Sequence, residues 1–272
     1  MPSAHYENAR EVGMEGDLID NITPLIITYN EEANLPRVLS KLSWAKRIVI
    51  IDSGSTDETI QLASRIPQVQ VVRRTFDTFA QQCNYGLSQI TTDWVLSLDA
   101  DYVLSDALVE ELRTIRSNDA VGYRAGFIYS IFGRSLKGTI YPPRVVLYRK
   151  DLARYEDEGH GHRVRLAGAI EKLRQPIFHD DRKSLTRWFA SQQSYAIQEA
   201  DFLLAPGSPT MRWTDRMRRL GWFAPFAVFF YVLFVKGAIF DGRAGRYYAF
   251  QRLAAEVIIA LELMDRRLRG VS

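Results

Sequence analysis

Residues 93–105 read DWVLSLDADYVLS, and the way this stretch is put together decides the fold. Trp94-Val95-Leu96-Ser97-Leu98 has the composition of a strand covered on both faces, and it stops abruptly at Asp99 and Asp101 with only Ala100 between them. Two carboxylates so close repel each other. Either both are solvated in a turn, or something positive sits between them.

Upstream, PLIIT (24–28), RIVIID (47–52) and VQVVR (69–73) have the same strand character, and the intervening stretches have helical spacing. Strand then helix, repeated, predicts an α/β fold with a mostly parallel sheet covered on both faces. Ser55-Thr56-Asp57-Glu58 has the capping-box form and predicts a helix immediately after the second strand. In such sheets ligands bind beyond the carboxyl ends of the strands. Asn30 and Glu31, Asp52, and the Asp99/Asp101 pair all fall at those ends, so three strands point polar groups at one crevice.

Downstream the pattern is less regular. Strands are expected in GYRAGFIYSIFG (122–133) and PPRVVLYR (142–149), and YEDEGHGHRVR (155–165) reads as a loop of unusual polarity. A helix is predicted over 184–204, closed by APGSP. Beyond that boundary RWTDRMRR leads into sixteen uncharged residues, Leu220 to Val235, then Lys236, a polar turn DGRAGR (241–246) and a last amphipathic helix from Tyr247. Sixteen residues fall short of the roughly 20 that span a bilayer, and Pro225 interrupts them. Arg212, Arg216, Arg218 and Arg219 with Trp213 and Trp222 look like an interfacial anchor; a buried hairpin of an ordinary soluble domain is the plainer alternative. The chain therefore divides into a polar leader (1–20), a main domain (21–205) and C-terminal helices (206–272) at a membrane interface. The leader lacks the apolar core of a secretory signal, which places the protein on the cytoplasmic side.

Composition sets outer limits. A hydrophobic content of 47% over 272 residues is ample for a core, and 35 basic against 32 acidic residues leave only +3, so no global field argues for nucleic acid. The single cysteine, Cys83, excludes an internal disulfide and a cysteine-cluster metal site, and it reads as packed rather than reactive. Asp57 and Glu32 read as first-turn helix residues, and Asp93 as a strand entry. A D-x-D at a strand end suits a hard cation such as Mg2+ or Mn2+, which prefers carboxylate oxygen and leaves positions open for phosphates. By itself the tripeptide says little; its delivery to a crevice shared with Asp52 and Asn30 gives it weight.

IITYNEEANLPRVLSKL, IVIIDSGSTDET, FAQQCNYGL and DWVLSLDADYVL occur in that order between Thr23 and Asp106, and together they resemble the family 2 inverting nucleotide-sugar glycosyltransferases. PPRVVLYRK, PIFHDDRKSL and GAIFDGRAGRYYAF resemble, more loosely, the subgroup that builds lipopolysaccharide core and related surface glycans. The resemblance implies a GT-A fold with Thr28, Tyr29, Asn30 and Glu31 lining the nucleotide. It has Asp52 bonding the base, Asn84 near the ribose or sugar, and Asp99 and Asp101 holding the metal that bridges the diphosphate. His179 becomes a third metal ligand or a diphosphate contact, with Arg182 and Lys183 near the phosphates. The implied partners are a nucleotide sugar, a UDP-sugar foremost, a lipid-linked glycan acceptor and the membrane surface. Inversion needs a base, and where relatives carry His-Glu this chain reads His162-Arg163. The acidic stretch around it nominates Glu158 first and Asp157 second. Processive relatives carry Q-x-x-R-W, whereas SLTRW here has Ser184 in place of Gln, which favours a single addition. Two rival readings stand beside this one: a polyprenyl-phosphate glycosyltransferase, which needs little base help, and a non-catalytic nucleotide-sugar-binding scaffold at the membrane.

Overall fold

Each apolar run of the first hundred residues forms a strand of one sheet in the computed structural model of the chain, which describes residues 18–116, 119–158, 161–205 and 213–270. Strands β1 (Ile22–Thr28), β2 (Ile48–Asp52), β3 (Val69–Arg73) and β4 (Trp94–Asp99) are joined by helices α1 (Leu35–Ser40), α2 (Thr59–Ala63) and α3 (Phe79–Ser88). Next come β5 (Tyr102–Leu104), α4 (Asp106–Thr114), β6 (Ala120–Ala125), β7 (Phe127–Ile131), β8 (Arg134–Ser135) and β9 (Arg144–Arg149). The remainder comprises β10 (Ala153–Glu158), β11 (Gly161–Leu166), β12 (Ala169–Lys172), β13 (Ile177–His179), α5 (Leu185–Leu204), α6 (Trp213–Leu220), α7 (Ala224–Phe230) and α8 (Gly242–Leu268).

The main sheet has the order β12-β6-β9-β4-β1-β2-β3. It is mixed: β9 pairs antiparallel with both its neighbours, while every other pair is parallel. From β1 the chain steps outward through β2 and β3, then returns to place β4 on the other side of β1. That reversal is a topological switch point, and it opens a crevice where Ile27 pairs with Asp99 and Thr28 with Asp52. A second sheet, β5-β13-β7-β8, forms the wall next to it.

The strands read as unbroken apolar runs because both faces are covered. Ile26, Ile50, Leu96 and Leu98 pack with Leu35, Val38 and Leu108 on one face. Leu25, Val49, Ile51 and Val95 pack with Ala80, Cys83 and Leu87 of α3 and with Tyr155 on the other, so Cys83 is buried and its thiol is pushed up by that burial. At Gly86 a Cβ would stand 2.5 Å from Leu25 Cδ1, so α3 lies this close to β1 only with glycine there. The helix expected over 184–204 is α5, and Ser184 caps it, accepting from the Arg187 N–H at 3.3 Å.

Three local expectations are overturned. The capping box does not form: α2 starts only at Thr59, because the Ser55 hydroxyl is taken up by the Asn30 N–H (2.8 Å) and by Asp52, and Asp57 caps instead, accepting from the Thr59 N–H at 3.0 Å. The polar loop 155–165 is the antiparallel hairpin β10–β11, with Tyr155 buried beneath and Glu156 paired with Arg165 across the strands at 2.8 Å. Finally, α8 begins inside the stretch read as a polar turn. Its Gly245 meets the turn at Ala238 so closely that a Cβ would fall 1.9 Å from the Ala238 carbonyl oxygen.

The C-terminal helices pack on the rest of the chain. Val232, Ala238, Ala244 and Tyr248 form a cluster with Ile131 and Leu136, and Ile259 and Leu263 of α8 lie against Ala196, Ala200 and Leu203 of α5. Between α5, α6 and α8 the buried carboxylates of Glu199 and Glu256 share Arg218, at 3.0 and 2.8 Å. Among the described residues no single helix is long and apolar enough to cross a membrane. The pair 224–235 and 238–268, bent by 69°, passes such a test only when taken together.

Candidate active site

At the end of β4 the two aspartates of the opening stretch meet a histidine from the neighbouring sheet. β13 pairs with β5, bringing His179 opposite Tyr102, and Nε2 of His179 lies 3.1 Å from Oδ2 of Asp101. Both side chains are 13% exposed. Burial opposes charge on each, but their mutual attraction prevails: the Asp101 carboxyl is held down at about 2 and the His179 imidazole is raised. The positive group that the paired carboxylates call for is therefore supplied by the chain itself. His179 is boxed by the rings of Tyr129 and Tyr141, each 4.6 Å away, and Tyr102 at 5.2 Å, and its Nδ1 is buried with no hydrogen-bond partner.

The second cluster spans β1, α1 and the segment after β13. Glu31 accepts from Lys183 Nζ at 2.7 Å and from Asn34 Nδ2 at 2.9 Å. Burial pushes its carboxyl up to about 7; Lys183 opposes that rise and Asp101 adds to it. Asp181 accepts from Asn34 Nδ2 at 2.9 Å, and Asp180 accepts from Arg37 at 3.0 Å, Arg182 at 2.8 Å and the Gly133 N–H at 3.0 Å. The dense run HDDRK is the signal that marks this region. What it does not disclose is that Lys183 and Arg182 are already committed to carboxylates. Tyr195 of α5 was missed altogether: it is close enough to Lys183, Asp99, Asp101 and Glu31 to feel their charges, and burial raises its hydroxyl.

Several expected donor contacts are corrected. Asp52 is fully buried, and its carboxylate accepts from Thr28 Oγ1 (3.2 Å), the N–H groups of Gly54 (3.0 Å) and Ser55 (2.9 Å), and the Ser55 hydroxyl, so it fastens the turn after β2 and presents nothing to a base. Thr28 is buried in the same bond. Asn30 takes φ +56°, which Asn tolerates, because its side-chain oxygen accepts from the Thr56 and Asp57 N–H groups at 2.7 and 3.3 Å. Asn84 is likewise occupied, bonding both the N–H (2.9 Å) and the carbonyl (3.0 Å) of Tyr155 and so pinning β10 to α3. Of the four residues 28–31, Tyr29 is the one with an open face, 53% exposed, with the Arg187 guanidinium 5.9 Å from its ring centre. Asp157 accepts from the Ala80 N–H at 3.1 Å in the first turn of α3, which ties β10 to that helix. Glu158 ends β10, and its side chain, with His160 and His162, lies outside the described residues.

Among the described residues no three His, Cys, Asp or Glu side chains converge as they stand on one metal position. The donor set nevertheless fits a hard divalent cation of the kind that binds through one or two carboxylates and completes its shell with substrate phosphate. Asp99 and Asp101 offer oxygen, and Nε2 of His179, the ring nitrogen that faces Asp101, would join them on giving up its proton and that contact.

A switch-point crevice bordered by a D-x-D and an imidazole, on a mixed α/β sheet, defines a glycosyltransferase. The chain belongs to glycosyl transferase family 2, whose model matches residues 24–172. An uncharacterised glycosyltransferase of Rickettsia felis is 24% identical over 258 residues, 87% of this chain and 89% of that one. The lipopolysaccharide core biosynthesis glycosyltransferase LpsC of Rhizobium meliloti is 33% identical over 137 residues, 48% of this chain and 49% of its own. The same fold occurs in a mannosyltransferase from Pyrobaculum calidifontis, solved in complex with GDP-Man and Mn2+, at a TM-score of 0.51 and 14% identity over 90% of this chain and 87% of that one.

Proposed function

We propose that this enzyme transfers one sugar, with inversion, from a nucleotide sugar to a lipid-linked glycan of the lipopolysaccharide-core type, at the cytoplasmic face of the membrane. The observation that carries this reading is the Asp101–His179 pair beside Asp99 at the mouth of the switch-point crevice. The similarity to LpsC supports the acceptor class.

Tyr29 offers its open face to the nucleotide base, while Asp52 and Asn30 keep the surrounding turns rigid. Asp101, His179 and Asp99 hold Mn2+ or Mg2+. Such a cation, when bound, neutralises charge building on a departing diphosphate. Lys183 is fixed by Glu31 and keeps a positive charge at the crevice floor. Glu158 serves as the base that takes the acceptor hydroxyl proton, at the end of the hairpin that Asn84 and Asp157 anchor to α3.

Membrane association is supported by a row of exposed aromatic residues: Phe223, Phe226, Phe230 and Phe234 fall on one stripe, with Trp222 70% exposed beside them. Exposed Arg216, Arg219 and Lys236 flank the stripe, as at a lipid headgroup boundary.

The test is nucleotide release and transfer across UDP-, GDP- and dTDP-sugars with and without Mn2+, beginning with the UDP-sugars. Metal-dependent release of one nucleotide, lost in Asp101→Ala with folding retained, is the expected result; metal-independent release, or unchanged nucleotide binding by Asp101→Ala, removes the metal assignment. Co-sedimentation with anionic vesicles, weakened by Phe230→Asp, checks the membrane contact.

A further inference from the structure

Among the described residues two non-glycine positions take positive φ, Asn30 at +56° and Phe132 at +48°. The strain at Asn30 is accounted for by its side-chain bonds. Phe132 has no such compensation, and a bulky residue is strained in the left-handed region. It is the first residue of the two-residue turn between β7 and β8, where Ile131 pairs with Arg134 and Gly133 follows at φ +81°. Two positive φ values in a two-residue hairpin make a type I′ turn, whose first position favours Asn, Asp or Gly.

Packing does not explain the phenylalanine either. Its side chain is 58% exposed, with the Tyr247 ring 6.3 Å away, centre to centre. The turn is nonetheless wired to the crevice. The Gly133 N–H donates to Asp180 Oδ1 at 3.0 Å, and the Asp180 N–H donates to the Asp101 carbonyl at 3.2 Å. Arg37 and Arg182 hold the same Asp180 carboxylate from the other side. An exposed ring thus stands in a strained turn whose glycine is bonded, through Asp180, to the backbone of Asp101.

Its surroundings name the occupant. Arg134 and Ser135 are exposed next to it, and Arg182 Nη2 lies 3.1 Å from where a Cβ on Gly133 would stand. A pyranose ring has one apolar C–H face and a polar rim, so it fits an aromatic ring set among cations and hydroxyls. We propose that Phe132 is an acceptor platform, stacking on a sugar ring of the acceptor while Arg134, Ser135 and Arg182 meet its hydroxyls or acidic substituents. This rests on the crevice being the transfer site.

The experiment places 4-fluorophenylalanine at position 132 of the full chain and follows its fluorine resonance during titration with methyl glycosides of glucose, galactose and mannose. Separate titrations use anionic phosphatidylglycerol vesicles and UDP or GDP with Mn2+. A saturable shift with a glycoside, absent with vesicles, is the expected result. A shift with vesicles alone makes the ring a lipid contact and overturns the proposal. No shift with either also overturns it. If a nucleotide still binds in that case, the donor-site reading survives; if none binds, both fall. As a second variant, Phe132→Asn relieves the turn and should raise Tm by about 2–4 °C while abolishing glycoside binding in saturation-transfer NMR. A lowered Tm would make the ring a packing residue and sink the platform.

Discussion

Replacing Asp52 by alanine should unfold the nucleotide-side turn rather than merely weaken nucleotide binding. In the folded chain this carboxylate satisfies the Gly54 and Ser55 N–H groups, the Thr28 hydroxyl and the Ser55 hydroxyl, while itself fully buried. Hydrogen bonds to a charged group contribute about 1.5–3 kcal/mol, and each stranded buried donor costs about 1–3 kcal/mol. Water reaches part of the turn at Gly54 and Ser55, which brings the sum to about 3–5 kcal/mol for Asp52→Ala and about 2–3 kcal/mol for Asp52→Asn, which keeps one acceptor oxygen. Measured against a total stability of about 5–15 kcal/mol, either loss is large. Urea unfolding followed by circular dichroism reads it as a shift of midpoint at unchanged slope. Had Asp52 been a base contact at the surface, stability would change by less than about 0.5 kcal/mol and only nucleotide affinity would fall. An Asp52→Ala protein of full stability and weakened nucleotide binding would refute the reasoning.

Two further outcomes follow from buried charge. The Glu31 carboxyl, raised by burial from 4.5 to about 7, holds a proton in the fold that the unfolded chain has released. Its contribution therefore favours folding more as pH drops from about 7 towards 4.5; carbon NMR of the labelled carboxyl checks the midpoint, and Lys183→Met, which removes the charge that opposes the rise, should move it higher. Arg218→Met removes the cation that Glu199 and Glu256 share, leaving Arg252 3.3 Å from Glu256, and should cost about 3 kcal/mol, with partial recovery when Glu256→Gln is added; thermal unfolding of the single and double variants decides.

How far the fold and site were legible follows from the kind of signal each carries. The strands of the main sheet are plain because unbroken apolar runs such as Trp94–Leu98 fit little else at that length, but the return of the chain beside β1 is not, since strand and helix alternate equally in any strand order. The antiparallel β9 carries no such mark. Hairpin β10–β11 looked like a loop because charged residues crowd it, with Tyr155, Val164 and Leu166 supplying its apolar contacts. Asp101 and His179, both named from the sequence, stand together in the fold because Asp101 follows the end of β4 and His179 ends β13. Asp52, Asn30, Asn84 and Asp157 were given to the ligand because residue type shows that an oxygen is available but not which N–H consumes it. Asn30, Asn84 and Asp157 bond backbone brought near only by the folded chain, and Asp52 bonds the turn that follows it.

The family match ends at residue 172, whereas the imidazole facing Asp101 arrives on β13, seven residues later, slotted between β5 and β7. The stretch that the family model covers is thus not the whole of the stretch that lines the candidate site. Any recombination of this gene with a relative's at the end of the matched region would inherit His179, the Asp180 clasp and Lys183 from the other parent. A modular exchange that respects the chemistry has its seam after Lys183, before α5 begins.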